Sequence, residues 1–144
     1  MEKVRIAIKK PNKPLEIVMV EKGYRTEVVK KFLNNSYPQF VGLEGGERLL
    51  CMGVDEEGLC KELPTNFYLH TNNFPSEKIV GTVVFTRHEY VNIYIEEIYD
   101  YVVEDLTDSD IEHISEILSE KYQKTAERVY KASGSNFSFE FFKI

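Results

Sequence analysis

The sequence predicts a single α+β domain, a mainly antiparallel sheet packed by one long C-terminal amphipathic helix and one short helix. Three observations predict this class. Short segments of period-two hydrophobicity alternate with Gly, Pro and Asn turn signals through most of the chain. After residue 106, apolar residues recur at steps of three and four. The 144 residues, 42% of them hydrophobic, suffice for one core and are too few for two.

The N-terminal part predicts a β-hairpin and then a short helix. Residues 4–8 alternate apolar with charged or small side chains, the pattern of a half-buried strand. The prolines of residues 11–14 end this strand, and residues 15–20 form the returning strand. Thr26 is the expected N-cap of the short helix. Its predicted apolar face consists of Val28, Val29, Phe32 and Leu33, and its end is expected at Asn34 and Asn35.

The middle of the chain predicts three more strands. Residues 38–43 and 48–54 are expected to pair across a turn that contains two glycines. Residues 59–63 are expected to continue the meander, so that Cys51 and Cys60 would lie on paired strands. In an intracellular protein such cysteines are expected to be small core residues rather than a disulfide.

The second half predicts a loop, two strands and a long helix. Residues 64–76 are largely polar, which predicts the longest surface loop. Residues 79–87 and 90–101 are rich in β-branched and aromatic residues, which favours strands. Thr107 and Asp110 stand in the positions of a capping box and predict the helix start. The predicted stripe of this helix is Ile111, Ile114, Ile117, Leu118, Tyr122, Ala126, Val129 and Tyr130, ending near Gly134.

The C-terminal residues 137–144 alternate apolar with polar side chains and predict a last strand. The sequence leaves open whether this strand joins the sheet of its own chain or exchanges between chains. All of residues 1–144 are assigned to one domain.

Charge is distributed unevenly along the chain, whose net charge is -6. Residues 1–31 contain nine Lys or Arg against four Glu, a local balance of +5. Residues 88–120 contain eleven Asp or Glu and no Lys or Arg. The acidic total disfavours direct nucleic-acid binding. The chain also lacks a long apolar segment, so we expect a soluble, intracellular protein that does not enter a membrane.

No catalytic, metal-binding or cofactor-binding constellation is recognisable. The three histidines fall on different predicted elements without ligand spacing. Cysteine catalysis would need His70 or His88 to lie beside Cys51 or Cys60 and be held there by a third group. A phosphate-binding glycine loop with a following Lys is also absent. The sequence therefore predicts a protein that is not an enzyme and that binds no metal or cofactor.

Several short motifs, in order, resemble a family of phages and mobile elements known as DUF 3846. The family pairs an N-E-x-G turn with L-P-x-N, then a G-T strand and an L-T-D-x-x-I helix start. This chain has Asp55 to Gly58 at the turn, with Asp in place of Asn, and then Leu63 to Asn66. Gly81 with Thr82, and Leu106 to Ile111, complete the series. The likeness covers about residues 1–118, so residues 119–144 would extend the family core.

The resemblance implies an accessory protein of a mobile element that acts in the cytoplasm of its bacterial host. Two classes of function follow. The first is a counter-defence protein that sequesters a basic host defence protein through an acidic, tyrosine-bearing surface. Its predicted partner-binding residues are Tyr90, Tyr94, Glu96, Glu97, Asp100, Glu104 and Asp105.

The second class is a sponge that holds a nucleotide-type immune signal in a polar loop pocket. Its predicted ligand residues are Arg48, Asn66 and Arg87. A further alternative is that the acidic segment is only a solvated surface and that binding occurs elsewhere.

Overall fold

The computed structural model describes residues 2–43, 50–71, 74–88 and 101–134. Within these ranges an antiparallel sheet is packed by helices, which confirms the predicted α+β class. Most of the strand predicted at residues 90–101 and the strand predicted at residues 137–144 lie outside the described residues.

The described strands form one large sheet and one separate hairpin. The strands are β1 (Lys3–Lys9), β2 (Glu16–Glu21), β3 (Pro38–Gly42), β4 (Leu50–Asp55), β5 (Thr65–Thr71), β6 (Phe74–Val80), β7 (Val83–His88) and β8 (Val103–Glu104). The large sheet has the order β2-β1-β7-β4-β3. Strand β7 has β4 along one edge. Along its other edge, β1 pairs with residues 83–85 and β8 pairs with Arg87 and His88. Strands β5 and β6 form the hairpin.

The helices are α1 (Arg25–Lys30), α2 (Asp108–Ile117) and α3 (Glu120–Val129), and a π-helical turn (Tyr130–Gly134) follows α3. The prediction for α1 was right about the helix and wrong about its cap. Tyr24 occupies the N-cap position without a side-chain cap bond, and Thr26 lies inside the helix. Asn34 and Asn35 adopt positive φ angles of 53° and 61° after the helix, as expected for residues that end one.

Both predicted N-terminal hairpins are confirmed. Strand β1 pairs with β2 over six consecutive residues, from Lys3 opposite Glu21 to Ile8 opposite Glu16. Strand β3 pairs with β4 over the five residues from Pro38 to Gly42. The alternation of apolar and polar residues sufficed here because each pair is local in sequence.

The stretch predicted as the longest loop, residues 64–76, instead forms most of the β5–β6 hairpin. Phe67 and Leu69 are buried and belong to the main core, so this stretch has an apolar face. The loop prediction was wrong because the apolar face of this stretch consists of only Phe67 and Leu69, too few to be recognised among the polar residues around them.

Side chains of α3 form hydrogen bonds with backbone N–H and C=O groups of β5, in the place where a neighbouring strand would otherwise pair. The Gln123 side chain exchanges two hydrogen bonds with the backbone of Tyr68, of 2.8 and 2.9 Å. The Tyr122 hydroxyl does the same for His70, at 2.9 and 2.8 Å. The helix thereby covers a strand edge that would otherwise leave buried polar groups unpaired.

Turns interrupt two of the predicted strands. Residues 56–62 form turns rather than a strand, since their charged side chains leave no apolar face, and Cys60 is exposed there. The predicted strand at residues 79–87 is divided at Gly81, where φ is +74°. A Cβ atom at this glycine would lie 2.8 Å from the Leu63 side chain, so a larger residue would be strained and crowded.

The predicted long C-terminal helix is divided into α2 and α3. Its start is confirmed, because Thr107 and Asp110 form both halves of the capping box. It breaks at Ser119, whose hydroxyl accepts a hydrogen bond from the Tyr122 N–H and caps α3. The helical stripe continues across the break, so periodicity alone could not reveal it.

The two faces of the sheet carry two apolar clusters. One face, with Met52 and Phe85, packs against the β5–β6 hairpin and α2. The other, with Ile6 and Val84, packs against α1. Close approach of α1 requires Gly53, because a Cβ atom there would lie 2.7 Å from a methyl carbon of Val29. Strand β7 lies between the two clusters.

Replacement of Thr107 by Ala should lower the free energy of unfolding by about 1 kcal/mol through loss of the side-chain cap. Denaturant unfolding followed by circular dichroism measures this change. The matched control is Ser109→Ala, which removes an exposed hydroxyl from the first turn of α2. It should shift the denaturant midpoint by less than half as much. Equal shifts in the two variants would contradict the assigned cap.

Candidate functional site

The described end of the acidic segment lies against the basic N-terminal hairpin. The Glu104 carboxylate is 3.0 Å from the Lys22 ammonium group, and this hydrogen bond is the main cause of a raised Lys22 pKa. The Asp105 carboxylate accepts a 2.6 Å hydrogen bond from the backbone N–H of Arg5. The Arg5 guanidinium also lies 3.2 Å from the exposed carboxylate of Asp108. The two oppositely charged parts of the chain therefore partly neutralise each other.

Two of the predicted partner-binding residues, Glu104 and Asp105, lie in this described part, and both have intramolecular partners. The predicted residues Tyr90, Tyr94, Glu96, Glu97 and Asp100 lie outside the described residues. The structure adds a tyrosine that sequence reasoning missed. Tyr24 is 54% exposed and forms an antiparallel bridge with Val102, the residue directly before β8. Its position directly before α1 gave no signal, because the helix was expected to begin at Thr26.

Of the residues predicted to hold a nucleotide-type ligand, Arg48 lies outside the described residues. Asn66 lies on β5 and Arg87 lies on β7. The Asn66 side chain donates hydrogen bonds of 2.7 and 2.8 Å to the backbone carbonyls of Lys9 and Gly81. It thus joins β5 to β1 and to the turn before β7. Burial lowers the pKa of Lys9, whose ammonium group donates to the Asn66 side-chain oxygen at 3.2 Å. Arg87 lies near the opposite end of β7.

Three cavities are lined by described residues. One of about 310 Å³ lies beside the β1–β2 turn. Two others, of about 230 and 160 Å³, flank Asp55 and Lys61. None of the three is lined by Asn66 or Arg87.

A buried ion pair joins the central strand to the start of α2. The Arg87 guanidinium donates to both carboxylate oxygens of Asp110 at 3.3 Å, and the Asp110 side chain is only 2% exposed. The same carboxylate accepts a 2.9 Å hydrogen bond from the Thr107 N–H. Because a buried charge without a partner is costly, this contact assigns Arg87 a structural role.

A cysteine and a histidine that are distant in sequence come together on the face that α1 covers. The Cys51 sulfur is 3.5 Å from the Thr86 hydroxyl, 3.9 Å from His88 Nδ1 and 3.5 Å from the Arg25 guanidinium. Cys51 lies opposite Thr86 in the β4–β7 pair, and His88 follows two residues later on the same face. We call Arg25, Cys51, Thr86 and His88 the polar cluster. Sequence reasoning considered a Cys–His pair but could not assign it, because the strand register is not readable from the sequence.

Aromatic rings surround the guanidinium group of the polar cluster. The Arg25 guanidinium carbon lies 3.7 Å from the centre of the Phe40 ring and 4.9 Å from that of Tyr101. The Tyr101 ring also packs on His88, with 4.3 Å between centroids. Such cation–π contacts favour a guanidinium group that has lost part of its hydration. Arg25 Nε is buried without a hydrogen-bond partner among the described residues.

The polar cluster does not have the properties of a cysteine-based catalytic site. Cys51 is only 4% exposed, so a substrate has little access to its sulfur. Burial, followed by the charges of Arg25 and Arg87, lowers the pKa of His88 to about 4. A base with this pKa is too weak to take the proton of an ordinary thiol at neutral pH. The cluster is best explained as a polar part of the core that α1 closes.

The other titratable side chains add no further site. In the part of the chain that the structure describes, no three His, Cys, Asp or Glu side chains converge as metal ligands. The prediction that Cys51 and Cys60 lie on paired strands was wrong, since Cys51 is buried on β4 and Cys60 is exposed in a turn. Within the same ranges, no helix combines the length and apolar character needed to cross a membrane.

Comparisons of the chain with protein-family models, curated proteins and solved structures found no match. The likeness to DUF 3846 therefore stays a prediction. In the structure its motif residues have roles in the fold: Asn66 joins strands, Gly81 permits a tight turn, and Thr107 with Asp110 caps α2.

Acid is predicted to weaken the fold through His88. Its pKa is about 4 in the folded chain and 6.5 ordinarily, so the unfolded chain binds the proton at higher pH. This contribution to stability is complete above about pH 6.5 and is lost as the pH falls towards and below 4, by about 3 kcal/mol in all. Urea midpoints of parent and His88→Gln measured between about pH 4.5 and about pH 7 test this, and the variant should show a smaller pH dependence.

His113→Gln is the matched control, because this histidine is half-exposed on α2. It should retain the pH dependence of the parent chain. An unchanged pH dependence in His88→Gln would contradict the lowered pKa.

Proposed function

We propose that the protein is a non-enzymatic accessory protein of a phage or mobile element that sequesters a basic component of host defence. The observation that carries this proposal is the exposed Tyr24, which bridges to Val102, together with the exposed carboxylates of Asp105 and Asp108 further along the acidic segment. We call Tyr24, Glu104, Asp105 and Asp108 the acidic edge. Tyrosine and carboxylate groups together suit a protein-binding surface, because tyrosine offers a large contact area at low entropic cost.

The acidic edge keeps a net negative charge despite its internal ion pairs. Its three carboxylates have two cationic neighbours, Arg5 and Lys22, and Lys22 also lies 3.7 Å from Glu2. A basic partner would thus be steered towards this surface, and its association would weaken with salt. In this proposal, residues 89–100 supply the remaining contacts.

Glu104 and Asp105 support the acidic edge by holding β8 against the N-terminal hairpin. We assign partner contact to Tyr24 and Asp108 of this edge and to Glu96, Glu97 and Asp100. The Asp105 carboxylate satisfies the Arg5 N–H, and Glu104 pairs with Lys22. Neutralising these two would disturb β1 and β8 together with any binding. A clean test therefore changes acids other than these two.

Replacement of Glu96, Glu97 and Asp100 by Gln, Gln and Asn should weaken capture of the partner by about tenfold or more at low salt. The measurement is capture from bacterial lysate by the immobilised protein at low and high salt, with quantitative mass spectrometry of bound proteins. The parent should lose its partner at high salt, and the variant should bind weakly at both salt concentrations.

The matched control is Glu56→Gln with Glu57→Gln and Glu77→Gln, which removes the same charge from exposed positions elsewhere. This control should capture the partner as the parent does. Tyr24→Ala is expected to weaken capture, whereas Tyr37→Ala, at a tyrosine that is more exposed than Tyr24, should not. Equal capture by the acidic-segment variant and the parent would reject the proposed surface.

A thermal-shift series with nucleotides tests the sponge alternative in parallel. A ligand that binds only the folded chain raises the melting temperature by mass action. A nucleotide-dependent shift that Arg48→Ala abolishes would favour that alternative over a protein-binding function. The acidic-edge proposal predicts no shift with any nucleotide.

A further inference from the structure

Among the described residues, β2 is an edge strand with an open backbone. It pairs only with β1 among the described strands and lies last in the sheet order. The Lys22 N–H donates to the Glu2 carbonyl at 2.9 Å, so this pair belongs to the hydrogen-bonded class, as do alternate pairs along the ladder. By this alternation, Val18 and Val20 direct their backbone groups to β1. The N–H and C=O groups of Ile17, Met19 and Glu21 then point outward.

This open edge lacks the features that usually prevent strand pairing. Residues 17–20 contain no charged residue and no proline, and the six consecutive pairs with β1 show no bulge. Ile17 is 42% exposed and Met19 is 54% exposed, so apolar side chains accompany the outward backbone groups. The opposite edge strand, β3, begins with Pro38, which has no N–H to offer.

We propose that β2 pairs antiparallel with β2 of a second copy of the chain, which joins the two large sheets across a two-fold axis. In the proposed register, Met19 faces Met19 of the partner subunit at the axis, and Ile17 faces Glu21 of the partner subunit. These are the residues with outward backbone groups, so each pair can form both of its hydrogen bonds.

Face parity and charge select this register. Residues opposite each other in a sheet share a face, so only pairings of odd with odd and even with even residues are allowed. With Met19 at the axis, Glu16 faces Lys22 of the partner subunit at both ends, a cross-strand pair of opposite charge. The Lys22 ammonium group, which lies 3.0 Å from Glu104 of its own chain, would then lie between two carboxylates. A register centred on Val18 would set Glu16 against Val20 and lose this pair. Charge complementarity thus identifies a second copy as the occupant of the edge.

Met19→Glu is the variant that tests the dimer. Within one chain, residue 19 faces Arg5 across the β1–β2 pair, so a glutamate suits the monomer. At the proposed axis the same change sets two carboxylates directly opposite each other, which is unfavourable. Leu59→Glu, at a side chain that is 70% exposed in a turn, is the control with equal charge change.

Analytical ultracentrifugation of the full chain at concentrations up to about 0.1 mM measures the association. The parent and Leu59→Glu should sediment as dimers of the 16.8 kDa chain. Met19→Glu should sediment as a monomer, with a dimer dissociation constant at least about tenfold higher. A parent that remains monomeric throughout this range, or a Met19→Glu variant that dimerises as the parent does, would overturn the proposal.

Cross-linking tests the register without depending on a disruptive variant. Opposed residues in a hydrogen-bonded pair have Cα atoms about 5.5 Å apart, within the range that a disulfide can span. Met19→Cys, combined with Cys60→Ser to remove the exposed native thiol, should form a disulfide-linked dimer under mild oxidation. Leu59→Cys in the same background should remain uncross-linked. Equal cross-linking of the two variants would also overturn the proposed pairing.

Discussion

The buried carboxylate of Asp110 is the contact on which the joining of sheet and helices depends. It accepts a hydrogen bond from the Thr107 N–H, which fixes the start of α2, and it neutralises the Arg87 guanidinium group on β7. The same group therefore determines where the helix begins and which strand it packs against. Its removal would leave Arg87 as a charge that is 13% exposed and without this partner, a change that typically costs 3–5 kcal/mol.

Strand β7, which carries Arg87, explains why the other elements are arranged as they are. It is hydrogen-bonded to β1, β4 and β8, and its side chains enter the clusters on both faces of the sheet. A strand buried on both faces has nearly continuous apolar sequence, as in Val83, Val84 and Phe85. Where the sequence turns polar, at Thr86 and His88, the covering groups become Arg25 and Tyr101.

The elements that the sequence predicted are those whose determinants are local. The capping box of α2 spans three residues, and the N-terminal hairpins connect neighbouring segments, so their patterns are complete within a short window. The β5–β6 hairpin was missed because Tyr68 and His70 receive their hydrogen bonds from Gln123 and Tyr122, more than fifty residues later. The polar cluster was unreadable for the same reason, since only the β4–β7 register brings Cys51 to His88. The predicted partner-binding residues were chosen from the charge pattern of the sequence. That pattern does not reveal that Glu104 and Asp105 have partners in the N-terminal hairpin, because those partners are distant in sequence.

The contact between Arg5 and Asp105 spans 100 residues and sets the order in which the chain can fold during synthesis. Hairpin β1–β2 can form as soon as it emerges from the ribosome, but the other edge of β1 must wait for β7 and for residues 105 and 106. Closing so long a loop is entropically costly, and high contact order slows folding. A nascent chain therefore exposes the apolar face of the β1–β2 hairpin until residues 83–106 have been made, and we expect it to need chaperone protection during that interval.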